Sequence, residues 1–373
     1  MNRKQMRITI QADGGIQIVD PGFDALPLLR SVNPGFRIQR SPLPGFDQPR
    51  FLATRKTGAG HSHAELRKMS EAELWAIHRS VSQTRMTDKK LGAGSDMASL
   101  LDLKIELAKR ILTHCCLCGH RCGVNRLSGE RGLCGLGAES FMVESYIHIA
   151  EESPINPSLM LTLSGCGLDC IFCQQPNYRF PQTGSGISLN AFTWDTLNLR
   201  GARSLSFIGG NPDESLFAIL SFLRTAPPDW KLPVVWNCHS YASRETTELL
   251  SGIVDAYVPD FKYGCDDCAR QLSGAPDYPE IAVAAISAMV AQNVPVFVRL
   301  LILPGHTDCC HIPVMNALSG MDRRLLRVSL RGQYDPKNLR SDVHVSLAHR
   351  ASVAEINRVI AYAHHLELPL ISA

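Results

Sequence analysis

The chain has 373 residues, which is enough for one large domain with an extension. Its 38 Lys and Arg residues and 35 Asp and Glu residues leave a formal charge of +3, so the composition argues against a surface that binds nucleic acid or a membrane. The thirteen cysteines, an odd number in close groups, are typical of metal ligands in a reducing compartment rather than of a disulfide framework.

The first 95 residues are predicted to form an N-terminal extension. Their basic start lacks the apolar segment of a signal peptide, and no apolar run in the chain reaches the roughly eighteen residues that cross a bilayer, so we expect a cytoplasmic protein. Residues 7–12 and 16–19 flank Asp13-Gly14-Gly15 and predict a β-hairpin. Ser70 and Glu73 form a capping-box pattern, which predicts the start of a helix.

Residues 96–150 are predicted to hold a helix and a cysteine-rich module that binds metal. Residues 98–112 carry apolar side chains at helical spacing. Gly-rich connections, which let a backbone turn sharply around a metal centre, then join four cysteines: Cys115, Cys118, Cys122 and Cys134. A [4Fe–4S] cluster and a tetrahedral zinc ion both fit four thiolates. We favour the cluster, with Cys116 and His120 as further candidate ligands.

Over residues 151–373, apolar strand-like runs alternate with helical stretches. The predicted strands are residues 159–163, 204–208, 233–237, 256–261, 296–303 and 327–330. The predicted helices are residues 194–200, 214–224, 244–250, 279–292 and 353–364. This alternation predicts an α/β fold with a parallel sheet and right-handed crossovers. Six such units form a partial (βα)6 barrel of the TIM type, whose functional groups gather at the carboxyl ends of the strands.

Directly after the first of these strands stand Cys166, Cys170 and Cys173, separated by three and then two residues. Three thiolates on one short loop can hold three irons of a cubane cluster. The fourth iron then has no protein ligand and can bind a substrate or cofactor, as open catalytic metal sites do. This loop is the strongest functional signal in the sequence.

The stretch from Cys166 to Gln174 resembles the signature of the radical S-adenosylmethionine (radical SAM) superfamily, with Phe172 at that family's aromatic position. From Cys115 to the C-terminus, the chain resembles activating enzymes of pyruvate formate-lyase, in a branch of uncharacterised homologues. The likeness rests on Cys-Gly-Val-Asn-Arg-Leu-Ser-Gly-Glu-Arg-Gly-Leu-Cys134, Glu151-Glu152-Ser-Pro, Gly209-Gly210-Asn211, Val-Pro-Asp-Phe-Lys-Tyr263 and Arg299-Leu-Leu-Ile-Leu-Pro-Gly305. In authenticated activating enzymes the additional cysteines follow the first cluster motif, whereas here they precede it.

The resemblance implies a radical SAM barrel and an enzyme that reductively cleaves S-adenosylmethionine (SAM) at a [4Fe–4S] cluster. The resulting 5′-deoxyadenosyl radical would abstract hydrogen from a substrate, either a glycyl-radical enzyme, in an activase, or a small molecule or peptide. Flavodoxin or ferredoxin would donate the electron. Two other classes of protein are a zinc-ribbon structural or binding protein and a SAM-dependent methyltransferase, which needs no such cysteine spacing. The sequence identifies no residue that transfers hydrogen.

The resemblance also implies residues that bind SAM. Phe172 would pack near the adenine, or it is an ordinary core phenylalanine. Gly209 and Gly210 would let the backbone approach the methionine ammonium group, and Asn211 would keep a carbonyl acceptor there. Asn237, after the third strand, could contact the ribose or the carboxylate, or belong to a turn.

Charged and cysteine residues elsewhere leave alternatives open. Lys262 and Arg299 would bind the SAM carboxylate or a substrate acid, unless they form an internal salt bridge with Asp260. Glu151 and Glu152, before the first strand, could face a substrate, but we favour solvated carboxylates. A third metal site is a further alternative, although the spacing defines no set of four ligands among its candidates: Cys265, Cys268, Cys309, Cys310, His311 and Cys238.

Overall fold

A computed structural model of the protein describes residues 7–10, 16–19, 42–83, 96–181, 186–197, 199, 201–340 and 345–371. The first elements are β1 (Arg7–Ile10), β2 (Ile16–Val19), α1 (Arg50–Lys56), β3 (Gly58–Ser62), α2 (His63–Lys68), α3 (Glu71–Gln83), β4 (Met97–Ser99) and α4 (Leu100–Ile111). β1 and β2 pair in antiparallel fashion, which confirms the predicted hairpin; its turn at residues 13–15 lies outside the described residues.

Two helices of the extension, α2 and α3, begin at capping boxes, and α1 packs against the rest of the chain. The Ser70 amide donates to the Glu73 carboxylate at 2.7 Å and the Glu73 amide donates back to Ser70 Oγ at 3.3 Å, which confirms the predicted helix start. In α1, the Thr54 hydroxyl donates to the carbonyl of Gly252 at 2.6 Å. The extension is therefore docked on the body of the protein, and the division into domains at residues 95 and 150 stays a prediction.

The body of the protein contains one large, mainly parallel sheet. Its strands are β5 (Phe141–His148), β6 (Ser158–Leu163), β7 (Ile187–Ser188), β8 (Ser204–Gly209), β9 (Val234–Cys238), β10 (Ala256–Pro259), β11 (Val296–Leu301) and β12 (Leu326–Arg331). They lie in the order β12-β11-β10-β9-β8-β6-β5-β7. The strands β6 and β8 to β12 run parallel, while β5 joins β6 in antiparallel fashion. The six predicted strands and the α/β class are confirmed; the closure of this sheet into a partial barrel stays a prediction.

The helices that follow the strands are α5 (Leu216–Arg224), α6 (Arg244–Leu250), α7 (Asp266–Ser273), α8 (Tyr278–Ala291), α9 (Ile312–Ser319) and α10 (Val353–His365). The helix predicted over residues 194–200 is wrong for the residues described there, because Trp194–Thr196 form a 3-10 turn and residues 197 and 199 are not helical; residues 198 and 200 lie outside the described part of the chain. The Trp194 ring instead stacks on Phe222 of α5, with ring centroids 4.2 Å apart. None of the helices in the described residues is long and apolar enough to cross a membrane.

The two faces of the sheet differ in what covers them. Phe207, Trp236 and Tyr257 belong to the large core that also contains the helices. The opposite face has a smaller apolar cluster that includes Val258 and Phe297. Since side chains alternate along a strand, Asn237, which pairs with Val258, and Arg299, two residues after Phe297, lie on this second face. Polar residues thus share the face that the helices do not cover.

Candidate metal and cofactor site

The loop that carries Cys166, Cys170 and Cys173 leaves the carboxyl end of β6 and is held by backbone hydrogen bonds on both sides. On one side, the Cys166 amide donates to the carbonyl of Arg179 at 3.0 Å. On the other, the amides of Asp169 and Ile171 donate to the carbonyls of Ser273 and Leu272 at 2.8 and 2.9 Å, at the end of α7. These bonds fix the positions of the thiols through the backbone rather than through side-chain packing.

The three thiols of this loop line one cavity of about 200 Å³. The remaining lining residues are Leu168, Gln175, Pro176, Arg179, Phe180, Gly209, Gly210 and Arg340. The structure therefore brings the cysteine loop after β6 together with the Gly-Gly turn at the end of β8, as the carboxyl ends of neighbouring parallel strands require.

Gly209 and Gly210 press their backbone directly against the cysteine loop. Gly209 has a φ of +126°, and a Cβ at this position would overlap the backbone of Leu163, while a Cβ on Gly210 would overlap the carbonyl of Gly165. The Gly210 amide donates to the carbonyl of Leu163 at 2.7 Å. Both positions thus need glycine for close packing of two loops, independently of any contact with a cofactor.

Asn211 does not line the cavity, because its side chain is bound within the protein. Its Nδ2 group donates to Asp213 Oδ2 at 3.0 Å and to Glu214 Oε2, and its Oδ1 accepts the His239 amide at 3.1 Å. Asn211 therefore orients the Glu214 carboxylate. Its predicted contact with SAM stays a prediction that these bonds do not favour.

Glu214 is a buried residue beside the cysteine loop that the sequence analysis did not predict. Its Oε1 atom accepts the amide of Gly167 at 2.9 Å and lies 3.4 Å from His239 Nε2. Burial opposes ionisation, but His239 and the hydrogen bonds outweigh it and hold the pKa of Glu214 below its ordinary value. An acidic pair, Asp213 and Glu214, directly after the Gly-Gly turn was the available signal.

The cysteine-rich module packs on the same loop. His120 Nε2 lies 2.8 Å from the carbonyl oxygen of Gly167, and the thiol of Cys118 lies 3.4 Å from where a Cβ of Gly167 would stand. Arg126, 1% exposed, donates to the Glu214 carbonyl at 2.8 Å and lies 3.9 Å from the Cys115 sulfur. The two cysteine groups are therefore neighbours joined by Glu214.

The spacing of the sulfur atoms distinguishes two kinds of metal centre. A tetrahedral zinc ion with Zn–S bonds of about 2.3 Å places its thiolates about 3.8 Å apart, whereas a cubane holds each thiolate on a different iron and so spreads them. Within the described residues, neither the module cysteines nor Cys166, Cys170 and Cys173 include three thiols within 4.8 Å of one another. The donor sets at both places fit a cluster better than a single ion.

Burial raises the pKa of the thiols in the cavity. Desolvation, followed by the Glu214 carboxylate, raises the pKa of Cys166 well above its ordinary value. Burial likewise raises the pKa of Cys170, although Lys262 acts in the opposite direction. Ionisation of these thiols therefore calls for a bound cation.

Both predicted cations on the second face of the sheet already have anionic partners. Lys262 Nζ lies 2.6 Å from Asp260 Oδ2, which is one of the predicted alternatives. Arg299 instead pairs with Glu151 and Glu152 at 2.6 and 2.7 Å. These glutamates are 2% and 0% exposed, so the prediction that they are solvated is wrong: the segment between β5 and β6 buries them against Arg299.

Two further predicted residues lie away from the cavity lining. Phe172 is 5% exposed and meets Tyr263 and Tyr334 edge-on, with centroids 6.4 and 6.1 Å apart; these contacts are those of a core phenylalanine. Asn237 is 8% exposed, and its Nδ2 group has no hydrogen-bond partner among the described residues. Asn237 is thus a buried donor on the second face of the sheet.

Arg179 and Arg340 line the cavity and were not predicted. Both pair with Asp169 Oδ1, Arg179 at 2.8 Å. Two guanidinium groups on one carboxylate leave an excess positive charge at the cavity, and Arg179 Nε is buried without a hydrogen-bond partner in the described part of the chain. Neither arginine stands in a recognisable motif, so no sequence signal identified them.

The fold and the site define an α/β protein with a mainly parallel sheet and a cavity lined by three cysteines. No protein-family model matches the chain. An uncharacterized protein of Methanocaldococcus jannaschii is 30% identical over 320 residues, which cover 82% of this chain and 91% of that protein. The chain therefore belongs to the same family as this archaeal protein.

Among solved structures, the chain shows a weak likeness to SuiB of Streptococcus suis. The structures of SuiB bound to precursor peptide SuiA and bound to S-adenosylmethionine are each 16% identical, with TM-scores of 0.37 and 0.34. They cover 55% of this chain, which spans 46% and 47% of those chains, less than half of their length. This likeness is too weak to carry a fold or an activity over to the present chain.

The Gly-Gly turn gives a prediction about stability. Gly209→Ala should lower the free energy of unfolding by about 2–6 kcal/mol, because strained backbone and overpacking each cost about 1–3 kcal/mol. Gly201→Ala is the matched control: its φ is +75° and no atom lies within 4 Å of the added Cβ, so it should cost only about 1–2 kcal/mol. Anaerobic denaturant titrations measure both; equal losses would contradict the close packing.

Proposed function

We propose that this protein is a radical SAM enzyme, which holds a [4Fe–4S] cluster at Cys166, Cys170 and Cys173 and reductively cleaves S-adenosylmethionine. The observation that carries the proposal is that these three thiols, in the motif spacing, line one cavity with the Gly209-Gly210 turn. No fourth cysteine lines that cavity in the part of the chain that the structure describes, which leaves one iron of a cubane without a thiolate. The bound cluster would supply the electron that cleaves the sulfonium of SAM to a 5′-deoxyadenosyl radical.

The residues around Cys170 would hold its thiolate in position. The Ser273 hydroxyl donates to Cys170 Sγ at 2.9 Å, and the charge of Lys262 favours the ionised form. Lys262 remains bound to Asp260. Its charge therefore acts on the Cys170 thiolate, while the salt bridge keeps its ammonium group from binding a second carboxylate. We therefore assign Lys262 to the support of the cluster rather than to the SAM carboxylate.

Arg179 and Arg340 are better placed to bind the carboxylate of SAM. Both line the cavity, and Asp169 neutralises only one of their two charges. A carboxylate bound by a guanidinium gains charge-assisted hydrogen bonds, and the unpartnered Nε of Arg179 offers such a donor. The excess charge at the cavity thus matches the anionic end of the methionine moiety.

The class of substrate remains a prediction from the family resemblance. Glycyl-radical enzyme, peptide and small molecule are the alternatives, and no contact in the described residues favours the activase. The zinc-ribbon alternative is less well supported, because the module packs directly on the cysteine loop through His120 and on Glu214 through Arg126. A flavodoxin or ferredoxin as the electron donor and a cytoplasmic location also stay predictions.

The central proposal predicts the behaviour of cysteine variants. Protein reconstituted anaerobically with iron and sulfide should convert SAM to 5′-deoxyadenosine when dithionite is added. Cys170→Ala should reduce the yield to background, since a missing thiolate leaves the cluster unstable or misplaced. Cys238→Ala is the control, because Cys238 is buried in the helix-covered core, and it should retain the activity. The proposal would be contradicted if Cys170→Ala cleaved SAM as fully as the parent protein, or if the product were S-adenosylhomocysteine.

The assignment of the SAM carboxylate can be tested by binding. Arg179→Gln should raise the Kd for SAM about 10- to 100-fold, since a hydrogen bond to a charged group contributes about 1.5–3 kcal/mol. Arg244→Gln removes an exposed arginine paired with Glu248 and should leave the Kd unchanged. Equilibrium dialysis with labelled SAM measures both variants at equal iron content. An unchanged Kd in Arg179→Gln would show that other groups hold the carboxylate.

We further propose that Cys115, Cys118, Cys122 and Cys134 hold a second [4Fe–4S] cluster that passes electrons to the first. Four thiolates saturate such a cluster, which suits electron transfer rather than SAM binding. Among the described residues, no three of these thiols lie within 4.8 Å of one another, and Cys118 contacts the Gly167 loop. Both observations support this role over that of a zinc clasp.

The second cluster predicts a metal count. Cys122→Ala should lower the iron content of anaerobically reconstituted protein from about eight to about four atoms per chain, on cubane stoichiometry. The cluster at Cys166, Cys170 and Cys173 should survive. Parent protein that binds about four irons, together with a zinc ion that Cys122→Ala removes, would refute the relay.

A further inference from the structure

A third group of cysteines lies outside both sites described above. Cys265 and Cys268 stand at the start of α7, after β10, whereas Cys309 and Cys310 follow β11. The sulfur atoms of Cys268, Cys309 and Cys310 all lie within 4.8 Å of one another, and those of Cys268 and Cys309 are 3.8 Å apart. Cys265, the residue directly before α7, precedes Cys268 by three positions. Two loops separated in the sequence thus bring three thiols together, with Cys265 close by in the sequence.

The local backbone is built to make this approach. Cys309 and Cys310 lie in a π-helical turn over Thr307–His311, a rare form that is frequent at functional sites. Opposite this turn, a Cβ on Gly264 would stand 2.5 Å from the Cys310 carbonyl oxygen, so a side chain there would separate the two loops.

We propose that Cys268, Cys309 and Cys310, with Cys265 as the fourth ligand, bind a single zinc ion. Zn–S bonds of about 2.3 Å at tetrahedral angles set thiolates about 3.8 Å apart, which is the distance found between Cys268 and Cys309. Thiolates are soft ligands that select zinc over magnesium or calcium. The two-residue gap between Cys265 and Cys268 is typical of structural zinc sites. Binding releases the thiol protons to solvent.

The ion would connect the loops after β10 and β11 at the edge of the sheet that carries the cavity. Its ligands include the first turn of α7, and the last turn of α7 holds the loop of the three-cysteine cavity. There the carbonyls of Leu272 and Ser273 accept amides of that loop at 2.9 and 2.8 Å, and the Ser273 hydroxyl donates to Cys170 Sγ. Zinc would therefore fix one end of a helix whose other end positions Cys170.

Metal analysis of anaerobically purified, full-length protein tests this site separately from the clusters. Cys268→Ser should lose about one zinc per chain, on the single-ion stoichiometry of such sites, and keep its iron. Cys166→Ala should show the reverse, and Cys122→Ala should keep the zinc that depends on Cys268. A loss of iron instead of zinc in Cys268→Ser would overturn the proposal, as would an unchanged zinc content.

Zinc X-ray absorption of the parent protein tests the ligands without relying on the folding of a variant. We expect a sulfur shell at about 2.3 Å, and in Cys265→Ser the same zinc content with one sulfur fewer. Parent protein without stoichiometric zinc would overturn the site. So would a disulfide between Cys268 and Cys309, found by mass spectrometry of protein kept free of oxygen.

Discussion

The buried carboxylate of Glu214 is the interaction on which the arrangement of the site depends. A buried charge is costly unless it is paired and hydrogen-bonded; Glu214 lies beside His239, and its hydrogen bonds reach three parts of the site. Its side chain binds the Gly167 amide of the cysteine loop and Asn211 of the Gly-Gly turn. Its backbone carbonyl accepts Arg126 of the cysteine module. One residue in the 3-10 turn just before α5 therefore links both cysteine groups to the sheet.

Charge compensation decides where an anion can bind. On the second face of the sheet, Lys262 is neutralised by Asp260, and the glutamates of the segment before β6 neutralise Arg299. At the cavity, by contrast, two arginines share one aspartate. Positive charge is thus left over beside the cysteines, although the net charge of the whole chain is small. Composition alone could not show this local excess.

The sequence predicted the elements whose signals are local. Buried parallel strands read as short apolar runs, and all six parallel strands were identified. β5 was missed because it alternates apolar residues with Glu144 and His148 in a segment assigned to the cysteine module. The short polar helix α7 was missed as well, since Asp266, Asp267 and Arg270 give no apolar periodicity.

The sequence could not predict which side chains pair with one another. Arg299 and Glu152 are 147 residues apart, and Arg340 and Asp169 are 171 apart. No spacing rule connects such pairs; the fold alone brings them together. The cysteine loop is the exception, because all three thiols of its motif lie on one short segment whose spacing already limits their chemistry. Cys268 and Cys309, by contrast, are 41 residues apart, so their spacing in the sequence does not show that they meet.

The most direct measurement is electron paramagnetic resonance of the anaerobic, dithionite-reduced protein, recorded before and after the addition of SAM. We expect SAM to alter the signal of one reduced cluster, because an iron without a thiolate can bind it. A cluster saturated by four cysteines should keep its signal. Fully iron-loaded protein whose spectrum does not respond to SAM would contradict the claim that Cys166, Cys170 and Cys173 hold an open cluster.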